Sequence, residues 1–450
     1  MPPGLTIAAV VAPIDGVVRV TYDIVRSDAP LPSTVRLAFP HRWAGRADLG
    51  DDIAGARATY PDGSAVSLAR DATGVTDVPT NGFDSVRVDY EVAPSRRILT
   101  AASRFRALLS ADRFYAPGLA MLAVPLNLPS EVLDAVGFRT ACTEPQWCIQ
   151  STVTLDGPMA MSRLSDAAFF AGDFDRVDRA RDGRSVTLWL QQGVNAGPHA
   201  LADLALAVVE AQEALLTSDD AAQTRAVVLL REDDPAALNG AGRAGGFVLE
   251  LGAGATSRSA GLVELLAHEN LHRLNGHRLV YAASDEFATM WFREGVTEYV
   301  ALRNAAESGL VAPMAFFRAL GKALANYHGN PRMDAAAGSV GDAFWSDRDL
   351  RRLPYDKGAL LGLLIDLRLR EGGNGSLDGF LASLRQSAAT GRVLITNSGL
   401  RDALERYSGE RWETFWADYV IGSEALPVFE RLEETGLQVV ERVEPAPWFG

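Results

Sequence analysis

Two histidines four residues apart, His268 and His272, stand in the run HENLH. In a helix of 3.6 residues per turn they lie one turn apart on one face, so both imidazoles reach a single metal ion. Glu269 is rotated from them by about 100°, beside a water held on such a metal rather than on the metal itself. His-Glu-x-x-His therefore reads as a zinc site with its own general base. The order also arises by chance in long helical chains. The competing reading is a pair of core histidines bonded to carbonyl oxygens, or a solvated surface pair.

The elements around the motif favour the metal. SAGLVELLAHENLHRLNGH reads as one helix, with Leu262, Leu265 and Leu266 at helical spacing and Asn275-Gly276 as its stop. A second helix follows in DEFATMWFREGVTEYVALRNAAESG, where Glu294 and Glu298 share a side at the border of an apolar face. Carboxylates there are costly unless something compensates them, and a divalent cation does so. Catalytic zinc takes three protein ligands and leaves one position open, and two histidines with one glutamate form a known set. Glu294 is the expected third ligand. For Glu298 two readings stand: it accepts a hydrogen bond from a ligand histidine and fixes its tautomer, or it is a solvated helix carboxylate. His277 reads as a capping or surface residue, with a substrate contact as the alternative, and Arg293 as a solvated cation.

HENLH, with 21 residues between His272 and Glu294 in WFREGVTEY, resembles the gluzincin metallopeptidases and within them the glycyl aminopeptidase family. That family carries its third ligand in a Trp-x-x-Glu-Gly-x-Thr segment. PYDKGALLGLLIDLRLR, from Pro354, resembles the gluzincin Tyr-x-Lys-Gly segment, and SLDGFLASLR and FWADYVIGSEALPVFERLEETGL resemble the helical carboxyl-terminal part. The resemblance implies a thermolysin-like catalytic domain, one Zn²⁺ per chain, a peptide or protein substrate and Glu269 as general base. It also implies that the Tyr355 hydroxyl stabilises the tetrahedral intermediate. By its own residues Tyr355 reads first as a packed tyrosine at a helix start, and only the resemblance favours the oxyanion role.

Aminopeptidase branches of this clan carry a Gly-rich strand whose glutamate holds the substrate amine, in the form Gly-Gly-Leu-Glu-His in the glycyl aminopeptidases. The counterpart here is read as GGFVLELG, without the Glu-His. Gly245, Gly246 and Glu250 are the substrate-binding candidates, through a strand edge that could pair with a peptide main chain. Glu250 is displaced by two positions, which keeps its face of the strand. It serves the amine or faces solvent as an ordinary carboxylate. The expected activity is a zinc-dependent peptidase, with amino-terminal or internal cleavage left open. The competing classes are a non-catalytic peptide-binding protein that kept the metal site and a metallohydrolase of a non-peptide substrate.

The 450 residues are 48% hydrophobic and 22% charged, enough for two or three domains. The expected fold is multidomain α+β. Residues 1–195 form an N-terminal β-sandwich of short alternating strands broken by Gly, Pro and Asp. Residues 196–330 form the zinc lobe, 331–441 its helical lobe and 442–450 a tail. Members of the resembled family commonly continue into a PDZ-like domain, and EPAPWFG looks like its threshold. A net charge of −14 argues against nucleic acid as a partner. No apolar run reaches the length of a membrane span. Cys142 and Cys148 enclose TEPQW and form either a small disulfide or two reduced thiols. The first residues lack the basic start and apolar core of a secretory signal, and the resemblance tilts the expected location to the periplasm or exterior over the cytoplasm.

Overall fold

The computed structural model describes residues 4–12, 15–26, 31–42, 48–94, 103–142, 144–216, 222–257, 259–336, 340–390, 394–437 and 439–440. The tail 442–450, with all of EPAPWFG, lies outside them. The chain divides into two compact units, Met1–His277 and Arg278–Gly450, and no helix among the described residues is long and apolar enough to cross a membrane.

In the first unit, period-2 alternation makes strands with one buried face. In Val17–Val25 the buried Val18, Val20, Tyr22 and Ile24 alternate with more exposed Arg19, Thr21 and Asp23. This strand pairs antiparallel with Gly4–Ala12 on one side and Ser85–Val92 on the other, in a six-stranded sheet. A three-stranded sheet holds Thr34–Ala38, and a four-stranded sheet holds Arg113–Pro117 and Ala168–Gly172. One apolar core joins them, with Ile7, Tyr22 and Val88 from the first, Val35 and Val78 from the second, and Phe114 and Phe169 from the third. Each such side chain contributes about 1.5–3 kcal/mol on burial. The hydroxyls of Tyr22 and Tyr90, carried into this core, donate to the carbonyls of Ala123 and Met121 at 2.8 and 2.9 Å, so no phenol is left unpaired there. Cys142 and Cys148 are joined in a disulfide.

The same unit contains a five-stranded sheet. Its strands are β1 (Phe174–Arg181), β2 (Arg184–Gln191), β3 (Gln223–Arg231), β4 (Leu238–Arg243) and β5 (Gly246–Gly252), in the order β1-β2-β3-β5-β4. β2, β3 and β5 run parallel, with antiparallel β1 and β4 at the two edges. Residue 195 is therefore not a sheet boundary: β2 pairs with β3 across it. Alternation marks a strand but does not say which sheet receives it. Helix α1 (Pro198–Ala211) makes the crossover from β2 to β3, the connection a parallel pair requires.

Helix α2 (Ala260–Leu271) follows β5 and lies along β4. Ser259 caps it, its hydroxyl accepting from Leu262 N–H at 3.2 Å. Its α-helical turns end at Leu271, and the backbone breaks at Asn275 and Gly276, where Gly276 has φ 151°. The stop read from Asn275-Gly276 is thus present. A buried polar network ties α2 to the sheet: Asn270 donates to Gln212 at 2.8 Å, Gln212 to the Ala267 carbonyl at 2.7 Å, and Arg273 to the Gln223 carbonyl at 2.9 Å.

The second unit is mostly helical. A π-helical turn, Trp291–Val296, leads into α3 (Thr297–Glu307), followed by α4 (Pro313–Gly329) and α5 (Arg348–Glu371). Trp291 is fully buried and donates from its indole nitrogen to Asn397 at 3.2 Å. Arg303 on α3 and Tyr299 both bond Asp366 on α5, the latter at 3.0 Å. These buried pairs are costly to break because each leaves the other charge unmatched.

Candidate active site

On α2, His268 and Glu269 are buried, at 7% and 6% exposure, and His272 is partly buried. The Nδ1 of His272 lies 3.0 Å from the Asn275 carbonyl oxygen. A carbonyl only accepts, so Nδ1 carries the proton and Nε2 presents its lone pair. That Nε2 is 3.0 Å from Nε2 of His268. Two imidazole nitrogens aimed at each other at this distance suit a shared cation. The kink at Asn275 and Gly276 is what turns the Asn275 carbonyl back onto the ring, a device outside the five-residue motif.

On the π-helical turn, Glu294 is buried at 8% exposure. Arg293 donates to its Oε1 at 3.2 Å and stacks toward Tyr281, 5.9 Å from the ring centre. Burial alone would lower the Arg293 pKa, but the Glu294 charge beside it holds the guanidinium above its ordinary value. Arg293 is thus an ion-pair partner rather than a solvated cation. Among the described residues, His268, His272 and Glu294 form the group able to hold a metal, with one ligand atom of each within 4.8 Å of the others. Two imidazoles and a carboxylate are a donor set that fits zinc.

Tyr355 is partly buried on α5, against a small apolar cluster of Met290, Val340 and Phe344 with Phe287 and Leu350. It is not at a helix start. α5 begins seven residues earlier, where Asp347 accepts from the N–H groups of Asp349 and Leu350, and Pro354 lies inside the helix. The proline had suggested a beginning, whereas the cap sets it. Glu298 is partly buried on the first turn of α3. His277 pairs with Asp166, and its backbone N–H donates to the His272 carbonyl at 3.1 Å.

The substrate-strand reading of GGFVLELG is corrected. β5 has no open edge, because β3 pairs with it on one side and β4 on the other. Glu250 pairs across β5 and β4 with Asn239, while Gly240, its neighbour along β4, faces Glu269. Successive residues of a strand point to opposite faces, so Glu250 points away from α2. It is fully buried, 3.1 Å from Arg104 and 3.7 Å from Arg231. Burial pushes its carboxyl pKa up against the pull of both arginines. Gly245 and Gly246 serve the chain itself. Gly245 turns the hairpin at φ 78°, and a Cβ on Gly246 would strike the Arg225 carbonyl at 1.8 Å. The edge strand beside the motif is β4, whose sequence LNGAGR reads as a turn because Asn and Gly are poor strand formers. Only the requirement that some strand cover β5 could have revealed it.

The resemblance read from the motifs agrees with the comparisons. The model of the M61 glycyl aminopeptidase family matches residues 261–347, which hold HENLH and WFREG but end before Tyr355. An aminopeptidase N family protein from Idiomarina loihiensis has a similar structure, at TM-score 0.78 and 16% identity, over 98% of this chain and 79% of that one. A variant of an M1 zinc metallopeptidase from Deinococcus radiodurans matches at TM-score 0.59 and 17% identity, over 95% of each chain. The same protein, bound to a Tyr-Ser-Ala substrate, matches at TM-score 0.58 and 16% identity, again over 95% of each. No curated protein matches in sequence. The likenesses show a mixed α/β multidomain fold of the M1 aminopeptidase kind.

Proposed function

We infer that the protein is a zinc-dependent peptidase. The observation that carries the reading is the convergence of His268, His272 and Glu294 beside a buried carboxylate, Glu269, that none of the three ligand positions needs. A zinc ion held by these ligands would bring the pKa of a water toward neutrality and polarise a peptide carbonyl. Glu269 would take the proton of the attacking water and return it to the leaving amine. Tyr355 would donate a hydrogen bond to the developing oxyanion, an interaction stronger in the transition state than in the ground state. Its ring packs against Met290, Val340 and Phe344. For Glu298 the proposed role is to accept a hydrogen bond from a ligand histidine and fix its tautomer.

The substrate is a peptide or protein. With Glu250 turned away from α2, amino-terminal specificity draws no support from that residue. The disulfide favours an oxidising compartment, the periplasm or the exterior. The test is cleavage of a mixed peptide library, with and without amino-terminal blocking, by the zinc-loaded wild type and by Glu269→Gln. The wild type cleaves, and Glu269→Gln keeps its zinc but loses at least about 100-fold in turnover. Substantial cleavage by Glu269→Gln would overturn the assignment of the base. Hydrolysis only of esters or epoxides would overturn the substrate class. Blocking that abolishes cleavage marks an aminopeptidase, and indifference to it an endopeptidase.

A further inference from the structure

The edge strand β4 presents two glycines to the motif helix, and neither is needed by the backbone. Gly240 and Gly242 are absent from the glycines with positive φ, so alanine would fit their main-chain conformation. Both are spaced by two along the strand and therefore share a face. A Cβ placed on Gly240 would lie 2.5 Å from Cγ, 2.6 Å from Oε1 and 2.7 Å from Cδ of Glu269. A Cβ on Gly242 would lie 2.5 Å from Cβ of His272 and 3.3 Å from its Cγ. Contacts between unbonded carbons are favourable only near 3.5–4.0 Å. The three atoms nearest to the missing Gly240 side chain thus all belong to the one carboxylate that the motif does not spend on metal.

We propose that Gly240 is a positioning residue, whose absent side chain is the space in which the Glu269 carboxylate is held. Gly242 gives the same clearance to the ring of His272. This rests on the assignment of Glu269 as the general base, but the clearance itself does not. The Glu269 side chain is nearly buried, so a methyl group at residue 240 cannot be avoided by a swing into open water. It moves the carboxylate or parts the strand from the helix. A displacement of about 1 Å in a reacting group costs on the order of 100-fold in rate.

The experiment is a double-variant cycle read by thermal unfolding of metal-free protein, with zinc content and steady-state kinetics alongside. Gly240→Ala is expected to lower Tm by several degrees when Glu269 is present and to have no such effect in the Glu269→Ala background. It is expected to keep its zinc, because its near neighbours are atoms of Glu269, and to lose on the order of 100-fold in kcat with little change in KM. An equal loss of Tm in both backgrounds overturns the proposal, as does an unchanged kcat. If Gly240→Ala fails to fold, the Gly240→Ala/Glu269→Ala chain must fold; failure of both overturns it too. A wild type without peptidase activity would defeat the functional reading, while the unfolding cycle would still decide the clearance.

Discussion

Tyr355 and Lys357 are two residues apart on α5 and meet different surroundings. The tyrosine ring rests partly exposed on an apolar bed. The lysine is fully buried, with its ammonium donating to the Ala335 carbonyl at 3.1 Å. For Tyr355→Phe the packing is retained and only the donor is lost, so kcat should fall about 10–100-fold with zinc content unchanged. An unchanged kcat would remove the residue from the chemistry. For Lys357, burial lowers the pKa to about 8, opposed by the charge of Asp334. Below pH 8 both folded and unfolded chains carry the proton, and the cost of burying the charge is present in full. Between about pH 8 and the ordinary lysine value near 10.5, the unfolded chain binds more protons, so stability rises with pH. Lys357→Met should flatten that rise in urea titrations at several pH values and add about 2 kcal/mol at neutral pH.

At the scale of elements, the ligand-bearing turn and α5 cross at a pair of glycines. A Cβ on Gly358 would lie 2.3 Å from the Trp291 carbonyl, and one on Gly295 2.3 Å from Cα of Gly358. The obstacle is main chain on both sides, which cannot rotate away. Gly358→Ala should cost about 2–3 kcal/mol in chemical unfolding and weaken zinc retention by moving Glu294, whereas Gly321→Ala, on the open side of α4 with nothing within 4 Å, should not destabilise. This crossing was hidden in the sequence, where Glu-Gly and Lys-Gly look like local features. The motif helix was legible because helical periodicity and an Asn-Gly stop agree. Strand β4 was not, since nothing in LNGAGR alternates. The burial of Glu250 is not legible in GGFVLELG, because the strand that covers β5 comes earlier in the chain.

At the scale of the molecule, the amino-terminal strands, the catalytic motifs and the helical carboxyl-terminal part could be read in order. Composition placed the main change near residue 195, and the sheet does not respect it. One core cluster shows why: Trp189 of β2 packs with Tyr115 and Phe170 of the four-stranded sheet and with Val227, Leu229 and Val248 of β3 and β5. The strand order then governs how the chain can be shortened. Cutting at residue 196 would strip β1 and β2 from the sheet and leave β3, with its run of buried Val227, Val228 and Leu229, as a bare edge open to pairing with other chains. A chain beginning there should be recovered mainly in aggregates, as gel filtration would show. The shortest chain that expresses well will have to keep strands β1 and β2, which carry no residue of the candidate site, because they close the edge of the sheet on which the motif helix α2 rests.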